Sequence, residues 1–341
     1  LINSELKNRV DIIHLNPQYS KDLTQIGRVS LRKILLMFKY YFKFIYIILV
    51  HKCDFVVFSP SFNFVSFFKD SVPIFIAKVL NIKYILWIHG NGLKSLFDNS
   101  NKLLKKYIKI LFEASFFTVP VAVKIVEQNY NFFANNDKIR VIYNGIDDIE
   151  SQLILEKNNQ FINILFLSNM ILTKGWKLLF DVAELICEKN DKINFIFAGQ
   201  ITSDKSYVFR TFSETRFKER IQYVGPKYGI EKEKLLKNAD IFCFPTYYPL
   251  ETFGIVNLEA MKYSLPIITS NIGGISEVVI DRKGGFVLND INVKNLLEKV
   301  ELLINDSELR INMGRYNKQR FEKEFTLNRT VSSWINLLIQ A

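Results

Sequence analysis

Between Phe242 and Met261 the chain reads FCFPTYYPLETFGIVNLEAM, which holds two glutamates, Glu251 and Glu259, on either side of Gly254. An apolar run ends at Phe244, a Pro- and Tyr-rich loop follows, and Thr252-Phe253-Gly254 opens a helical pattern. A helix N-terminus presents free amides and the positive end of its dipole, the backbone chemistry that holds a phosphate, and a glycine there lets a ligand approach closely. Glu251 at the mouth of such a site can accept hydrogen bonds from sugar hydroxyls. Glu259, two turns along, can face the same place, where a second carboxylate takes a cis-diol such as a ribose. As residue types alone, the two glutamates fit equally a helix cap and a surface charge. Lys174 stands before Gly175 and a helical pattern, and His89 ends an apolar strand pattern in His-Gly-Asn-Gly. Taken singly, these read as an exposed lysine and a structural histidine.

Several other chemistries are excluded by what is missing. The sequence has no G-x-x-x-x-G-K-[ST] and no G-x-G-x-x-G after a strand, which argues against a P-loop enzyme and a standard dinucleotide dehydrogenase. There is no Asp-x-Asp pair, and His14, His51 and His89 are too scattered to form a ligand set, so no metal is expected. Cys53, Cys187 and Cys243 lie far apart and encode neither a disulfide framework nor a zinc knuckle, which fits a reducing cytoplasm.

Positioning these residues requires a parallel α/β scaffold. Short apolar strand patterns alternate with longer helical ones throughout the 341 residues. In the first half strands are expected at Val10–Leu15, Phe55–Phe58, Tyr84–His89, Phe116–Val119 and Arg140–Tyr143, separated by helices at Leu31–Val50, Val72–Leu80, Asn101–Leu111 and Val121–Tyr130. In the second half strands are expected at Ile162–Leu167, Ile193–Ala198, Ile221–Val224, Ile241–Phe244, Ile267–Thr269 and Gly285–Val287. The intervening helices are Trp176–Lys189, Lys232–Ala239, Phe253–Tyr263 and Val293–Leu303. Continuous apolar strands each followed by a helix imply parallel sheets covered on both faces, here two doubly wound domains of five or six strands. The join falls near Tyr143-Asn144-Gly145-Ile146-Asp147 and the polar stretch 150–160, and a last helix at Leu327–Leu338 could return to the first domain. In such sheets ligands sit at the carboxyl ends of the strands, which puts the expected site in a cleft between the domains. The chain starts at Leu1 rather than Met, with no signal peptide before the fold, and a truncated N-terminus is expected.

Charge divides unevenly: the net +11 splits into +8 over residues 1–150 and +3 over residues 151–341. Lys102, Lys105, Lys106 and Lys109 recur on one helix face with apolar residues between them, and no nucleic-acid-binding signature accompanies them. Anionic lipid is therefore the expected partner rather than nucleic acid, a merely solvated lysine face being the alternative. Leu31–Val50 is apolar and long, but Arg32, Lys33, Lys39 and Lys43 interrupt it, and each central charge costs a spanning helix about 2.5 to 3.5 kcal/mol. It reads as a basic amphipathic helix, one side on a core and the other free for a membrane surface.

PLETFGIVNLEAM closely resembles the E-x-F-G-x-x-x-x-E signature of family 4 of the retaining nucleotide-sugar glycosyltransferases, which have the two-domain GT-B fold. Leu167 to Trp176 (LSNMILTKGW) is similar to the family's strand-end loop closing in Lys-Gly, Ile142 to Asp147 (IYNGID) to its interdomain N-G-[IV]-D, and Thr269 to Val278 (TSNIGGISEV) to its Gly-Gly-x-x-Glu loop. Phe195 to Gly199 and Tyr223 to Gly225 match two further strand ends. The resemblance covers residues 140 to 290; before that it rests on pattern and on Trp87-Ile88-His89-Gly90.

The resemblance implies that Glu251 holds the donor sugar and Glu259 the ribose. Thr252 and the backbone of Phe253, Gly254, Ile255 and Val256 would bind diphosphate and sugar, Lys174 would neutralise the diphosphate leaving group, and His89 would stand near the reacting sugar. A preorganised cation suits Lys174's role because charge develops on the departing phosphate. Two departures stand out: Ser168 and Asn169 occupy the places where the family carries an arginine, and the family's N-terminal Gly-rich loop is not visible. The implied domains are 1–147 on the acceptor side, with its first strand truncated, 148–325 for the nucleotide sugar, and 326–341 as a helix crossing back. The implied activity is metal-independent retaining transfer from a nucleoside-diphosphate sugar to a hydroxyl. It would serve surface polysaccharide, lipopolysaccharide or capsule synthesis by a cytoplasmic protein peripheral to the inner face of the membrane, with a glycan or lipid-linked acceptor. No cofactor is implied, the nucleotide sugar being a substrate. A nucleotide-sugar 2-epimerase and a non-catalytic GT-B partner subunit are the alternatives.

Overall fold

The computed structural model describes residues 10–16, 31–130, 133, 137–149, 160–202 and 204–339. The chain forms two compact units, Leu1–Ile142 with Trp334–Ala341, and Tyr143–Ser333.

The first unit carries α1 (Leu31–His51), β1 (Phe55–Phe58), α2 (Phe64–Val79), β2 (Lys83–Ile88), α3 (Leu93–Asp98), α4 (Lys102–Glu113), β3 (Phe117–Pro120) and α5 (Val123–Asn129). Its parallel sheet has the order β1-β2-β3. Three strands replace the five expected among the described residues. Val10–Leu15 forms no strand: Ile12 and Ile13 are exposed, and the segment pairs with neither edge of the sheet. Arg140–Tyr143 runs beside β3 through backbone bonds from Arg140 N–H to Thr118 O and from Ile142 N–H to Pro120 O, but a single bridge at Ile139 is its only ladder.

Helix α2 begins earlier than the expected Val72 because Asn63 caps it, its side chain accepting from Ser66 N–H, and the helix continues through Pro73. An interior proline deprives the carbonyl four residues earlier of its donor. That carbonyl belongs to Lys69, and the Tyr41 hydroxyl of α1 donates to it at 2.8 Å. A neighbouring side chain thus replaces the missing backbone bond.

The second unit holds β4 (Ile162–Leu167), α6 (Trp176–Lys189), β5 (Ile193–Ala198), α7 (Lys205–Glu214), β6 (Ile221–Tyr223), α8 (Gly229–Asn238), β7 (Ile241–Phe244), α9 (Ile255–Lys262), β8 (Ile267–Ser270), α10 (Ile275–Val278), β9 (Gly285–Leu288), α11 (Val293–Asn305) and α12 (Ser307–Glu324). The sheet runs β6-β5-β4-β7-β8-β9, every pair parallel. The order reverses at β4 and β7, the place where a doubly wound sheet opens for a ligand. Residues of β4, β7 and β8 are almost wholly buried, as apolar strands covered on both faces require.

The first division falls at Ile142 and Tyr143, earlier than the expected 147, because Tyr143 packs within the second unit. Its ring lies 5.8 Å from Phe253 and 5.7 Å from Phe325, and its hydroxyl donates to Glu277 at 3.0 Å. Burial foremost, with the Glu277 carboxylate adding to it, pushes the Tyr143 phenol up to about 12. The last helix, α13 (Leu327–Ile339), changes unit midway, later than the expected 326. Thr326 still pairs with Ile146, whereas Trp334 and Leu337 join Ile85, Val119 and Ile142 in the first unit's core. The polar stretch read at 150–160 lies outside the described residues except for Gln160.

Candidate functional site

The candidate site is assembled from loops at the carboxyl ends of β4, β7 and β8. After β4 the chain makes a 3₁₀ turn over Leu172–Lys174 and enters α6 through Gly175, which is left-handed at φ 88°. A Cβ on Gly175 would stand 2.1 Å from the Pro245 carbonyl oxygen, so only glycine lets this turn lie against the loop after β7. The contact is tied by Tyr247 N–H donating to Thr173 O at 2.7 Å. From the other side, Gly274 N–H donates to Thr252 O at 2.6 Å, and a Cβ on Gly273 would lie 2.4 Å from Glu251 O. The Lys-Gly turn, the Glu251 loop and the Gly-Gly loop are therefore packed backbone to backbone.

Two ion pairs occupy this framework. Lys174 Nζ lies 2.5 Å from Glu251 Oε2, with only 15% and 11% of the two side chains exposed. The ammonium also lies 4.6 Å from the centre of the Tyr248 ring, where the electron-rich face adds attraction. Lys232 of α8 reaches Glu259 at 2.6 Å. Gly254, left-handed at φ 64°, sets off α9, so the helix starts at Ile255 rather than the expected Phe253. The Phe253 side chain is buried against Tyr143 and Phe325, leaving only its backbone for a ligand. Asn257 N–H already donates to Gly254 O at 2.8 Å, which leaves the Ile255 and Val256 amides at the start of α9 as the donors suited to an anion. Such a site offers a cation, oriented amides and two carboxylates, the groups that suit a diphosphate joined to sugars.

The sequence pattern of the glycosyl transferases group 1 family matches residues 147–320, the span that contains all of these loops. The chain belongs to the group 1 glycosyl transferases. Among its relatives, the capsular polysaccharide biosynthesis glycosyltransferase CapM of Staphylococcus aureus is 27% identical over 220 residues, covering 60% of this chain and 55% of CapM. The chain spans about half to two thirds of the length of the first curated relatives it matches. Solved structures agree in fold. A glycosyltransferase from Rickettsia africae has a TM-score of 0.74 at 20% identity, covering 91% of this chain and 82% of its own. Anabaena HepE, solved with UDP and glucose, has a TM-score of 0.71 at 16% identity, covering 92% of this chain and 83% of its own. The fold is GT-B.

In this group 1 glycosyl transferase, Lys174, Glu251, Thr252, Gly254, Ile255, Val256 and Glu259 all belong to the second unit, and His89 belongs to the first. His89 follows β2, its ring 4.2 Å from that of Trp87. Burial lowers its pKa to about 4, so the imidazole is neutral near pH 7. A neutral ring can orient a hydroxyl, and at so low a pKa it is a weak proton acceptor. The loop behind it is shaped by Asn129, whose side-chain oxygen accepts from Gly92 N–H and Lys94 N–H.

The lysines proposed to face a membrane share α4 but not one environment. Lys105 and Lys109 are half-buried over the Phe97 ring, at 5.5 and 5.8 Å, whereas Lys102 and Lys106 are exposed. Sequence reasoning missed two residues beside these loops, Lys232 in α8 and Asn257 in α9. Lys232 gave no signal, being one lysine in the charged run EKEK, and its pairing with Glu259 is made only by the fold. Asn257 is fully buried, its side-chain amide has no hydrogen-bond partner among the described residues, and its Nδ2 would lie 2.7 Å from a Cβ placed on Gly254. A buried amide without a partner is costly unless a ligand completes it.

Proposed function

We propose that this chain is a retaining glycosyltransferase that moves a sugar from a nucleoside-diphosphate sugar to a hydroxyl during surface polysaccharide, lipopolysaccharide or capsule synthesis. The observation that carries the reading is the Lys174–Glu251 pair, 2.5 Å long and held at the mouth of α9 between two glycine-fixed loops. A donor entering there exchanges partners with the pair: its diphosphate takes Lys174, and its sugar hydroxyls donate to Glu251. The acceptor hydroxyl then attacks the anomeric carbon from the face that the diphosphate leaves. The new carbon–oxygen bond forms as the bond to phosphate breaks, and the hydroxyl proton passes to the departing phosphate oxygen. Lys174 stabilises the charge that develops there. Glu259 takes the ribose diol and Asn257 adds a polar contact beside Gly254.

In this reading Lys174, released from Glu251 as the donor enters, supplies the positive charge at the diphosphate, and the proposed transfer uses no metal ion. Support for the pathway comes from CapM, named for capsular polysaccharide biosynthesis, and for the donor class from HepE, solved with UDP and glucose. A glycan on a lipid carrier at the inner face of the membrane fits the amphipathic α1 as acceptor. Thermal unfolding with a panel of nucleotide sugars tests the reading, because a ligand that binds only the folded chain raises its stability. One nucleotide sugar should raise the midpoint of the wild type and not that of Lys174→Ala. Equal shifts in both proteins would remove Lys174 from the donor site.

A further inference from the structure

Lys232 takes its partner from another helix. The start of α8 reads Glu231-Lys232-Glu233-Lys234, and two of its lysines are paired locally. Lys234 meets Glu231 and Lys237 meets Glu233, both at 2.9 Å and both within α8. Lys232 instead crosses to α9, where its Nζ lies 2.6 Å from Glu259 Oε1. The two side chains are 33% and 18% exposed. Glu259 stands between Leu258 and Ala260 on a helix whose Asn257, Leu258, Ala260, Met261 and Lys262 are all buried. A carboxylate so placed is costly without a partner, and Lys232 provides one from 27 residues away.

The pair can do more than tie α8 to α9. A carboxylate accepts through two oxygens and an ammonium donates three hydrogens, and this contact uses Oε1 and one N–H. A hydroxyl that docks beside the pair finds both its needs met: the carboxylate takes its hydrogen, and the ammonium donates to its oxygen. Hydrogen bonds to charged groups are stronger than those between neutral ones. A site that devotes such groups to a hydroxyl rejects a ligand lacking it, because the charged groups are then left unpaired. Lys232 also offsets the charge of Glu259, which would otherwise repel the diphosphate of the same ligand. A contact that only joined two helices would serve every nucleotide equally, whereas one that reads a hydroxyl discriminates.

We propose that Lys232 is a specificity-determining residue: it aims Glu259 at the ribose diol, donates to one of the two hydroxyls, and makes the second unit select ribonucleotides over deoxyribonucleotides. The inference rests on the placement of the ribose at Glu259 proposed above. Calorimetry on the full chain compares UDP and GDP, each with its 2′-deoxy and 3′-deoxy form. For whichever nucleotide binds, the wild type should hold the ribose form at least about tenfold tighter than one of the deoxy forms. Lys232→Met should bring that ratio to about threefold or less, chiefly by weakening the ribose form, and Lys232→Arg should restore part of it. The ratio is the decisive readout, because a variant that merely loosened α8 would weaken ribose and deoxyribose forms alike. Glu259→Gln on the same nucleotides separates the two ideas. If Glu259→Gln keeps the full preference, or neither nucleotide binds the wild type, the ribose placement itself is wrong. If Glu259→Gln loses the preference and Lys232→Met keeps it, or Lys232→Met lowers both affinities by the same factor, the role of Lys232 alone is overturned.

Discussion

Glu251→Gln keeps the size of the side chain and removes its charge, and it separates the two jobs proposed for the Lys174–Glu251 pair. The contact is 2.5 Å long and the side chains are 15% and 11% exposed. Exposed pairs are worth up to about 1 kcal/mol, and breaking a fully buried one costs about 3 to 5 kcal/mol. A pair in between should contribute about 1.5 kcal/mol. A nucleoside diphosphate that recruits Lys174 must first release it from Glu251, so this attraction opposes binding in the wild type. With glutamine in place the competition is gone. The free diphosphate should then bind about tenfold tighter, because 1.4 kcal/mol is a factor of ten. Turnover should move the other way, falling by about 10²- to 10³-fold, as for removal of a preorganised polar group at the reacting centre. Calorimetry with the nucleoside diphosphate and a transfer assay on the same preparation measure both quantities. If the diphosphate binds Glu251→Gln no tighter than wild type, Lys174 does not serve the diphosphate and the exchange of partners is wrong.

Other outcomes follow from the same structure. Gly175→Ala places a methyl 2.1 Å from Pro245 O at a φ of 88°, and it should lower stability by about 3 kcal/mol; an unchanged urea midpoint would contradict the packing of the Lys174 turn. Tyr143→Phe deletes the hydrogen bond to Glu277 and should cost about 1 to 2 kcal/mol in equilibrium unfolding. Burial holds the His89 pKa near 4, below its usual 6.5, so the unfolded chain binds the proton first as pH falls. The stability tied to the neutral ring is complete above pH 6.5 and is lost toward pH 4, on the order of 3 kcal/mol in all. His89→Asn should flatten that slope in unfolding curves taken between pH 7 and 4.5, and a wild-type slope in the variant would assign the effect elsewhere.

The second unit was legible because each signal there is local. Strands β4, β5 and β7 are apolar apart from Asn163 and Asn194, their ends stand at the expected residues, and Lys174 and Glu251 lie near Gly175, Gly254 and Gly273, glycines at positive φ with no room for a Cβ. Partners supplied by distant chain were not legible. Lys232 and Glu259 are 27 residues apart, and nothing in EKEK marks one lysine over the next. The first two turns of α2, before the expected Val72, were not legible, since the donor that stands in for the missing Pro73 N–H comes from Tyr41 on another helix. Helix α12 escaped notice because its residues are mostly polar, and its start is marked only by Asp306 accepting from Leu309 N–H. The Val10–Leu15 run has the composition of a strand, but composition supplies no neighbour to pair with.

The most direct measurement incubates the full chain with the nucleotide sugar that stabilises it and a pool of glycan acceptors, in the presence of EDTA. Release of nucleoside diphosphate should match the appearance of glycosylated acceptor whose new linkage keeps the donor's anomeric configuration, and Lys174→Ala should lose both. Inverted linkage, transfer that stops with the chelator, or an epimerised donor with no glycosylated product would contradict a retaining, metal-independent transfer centred on Lys174 and Glu251.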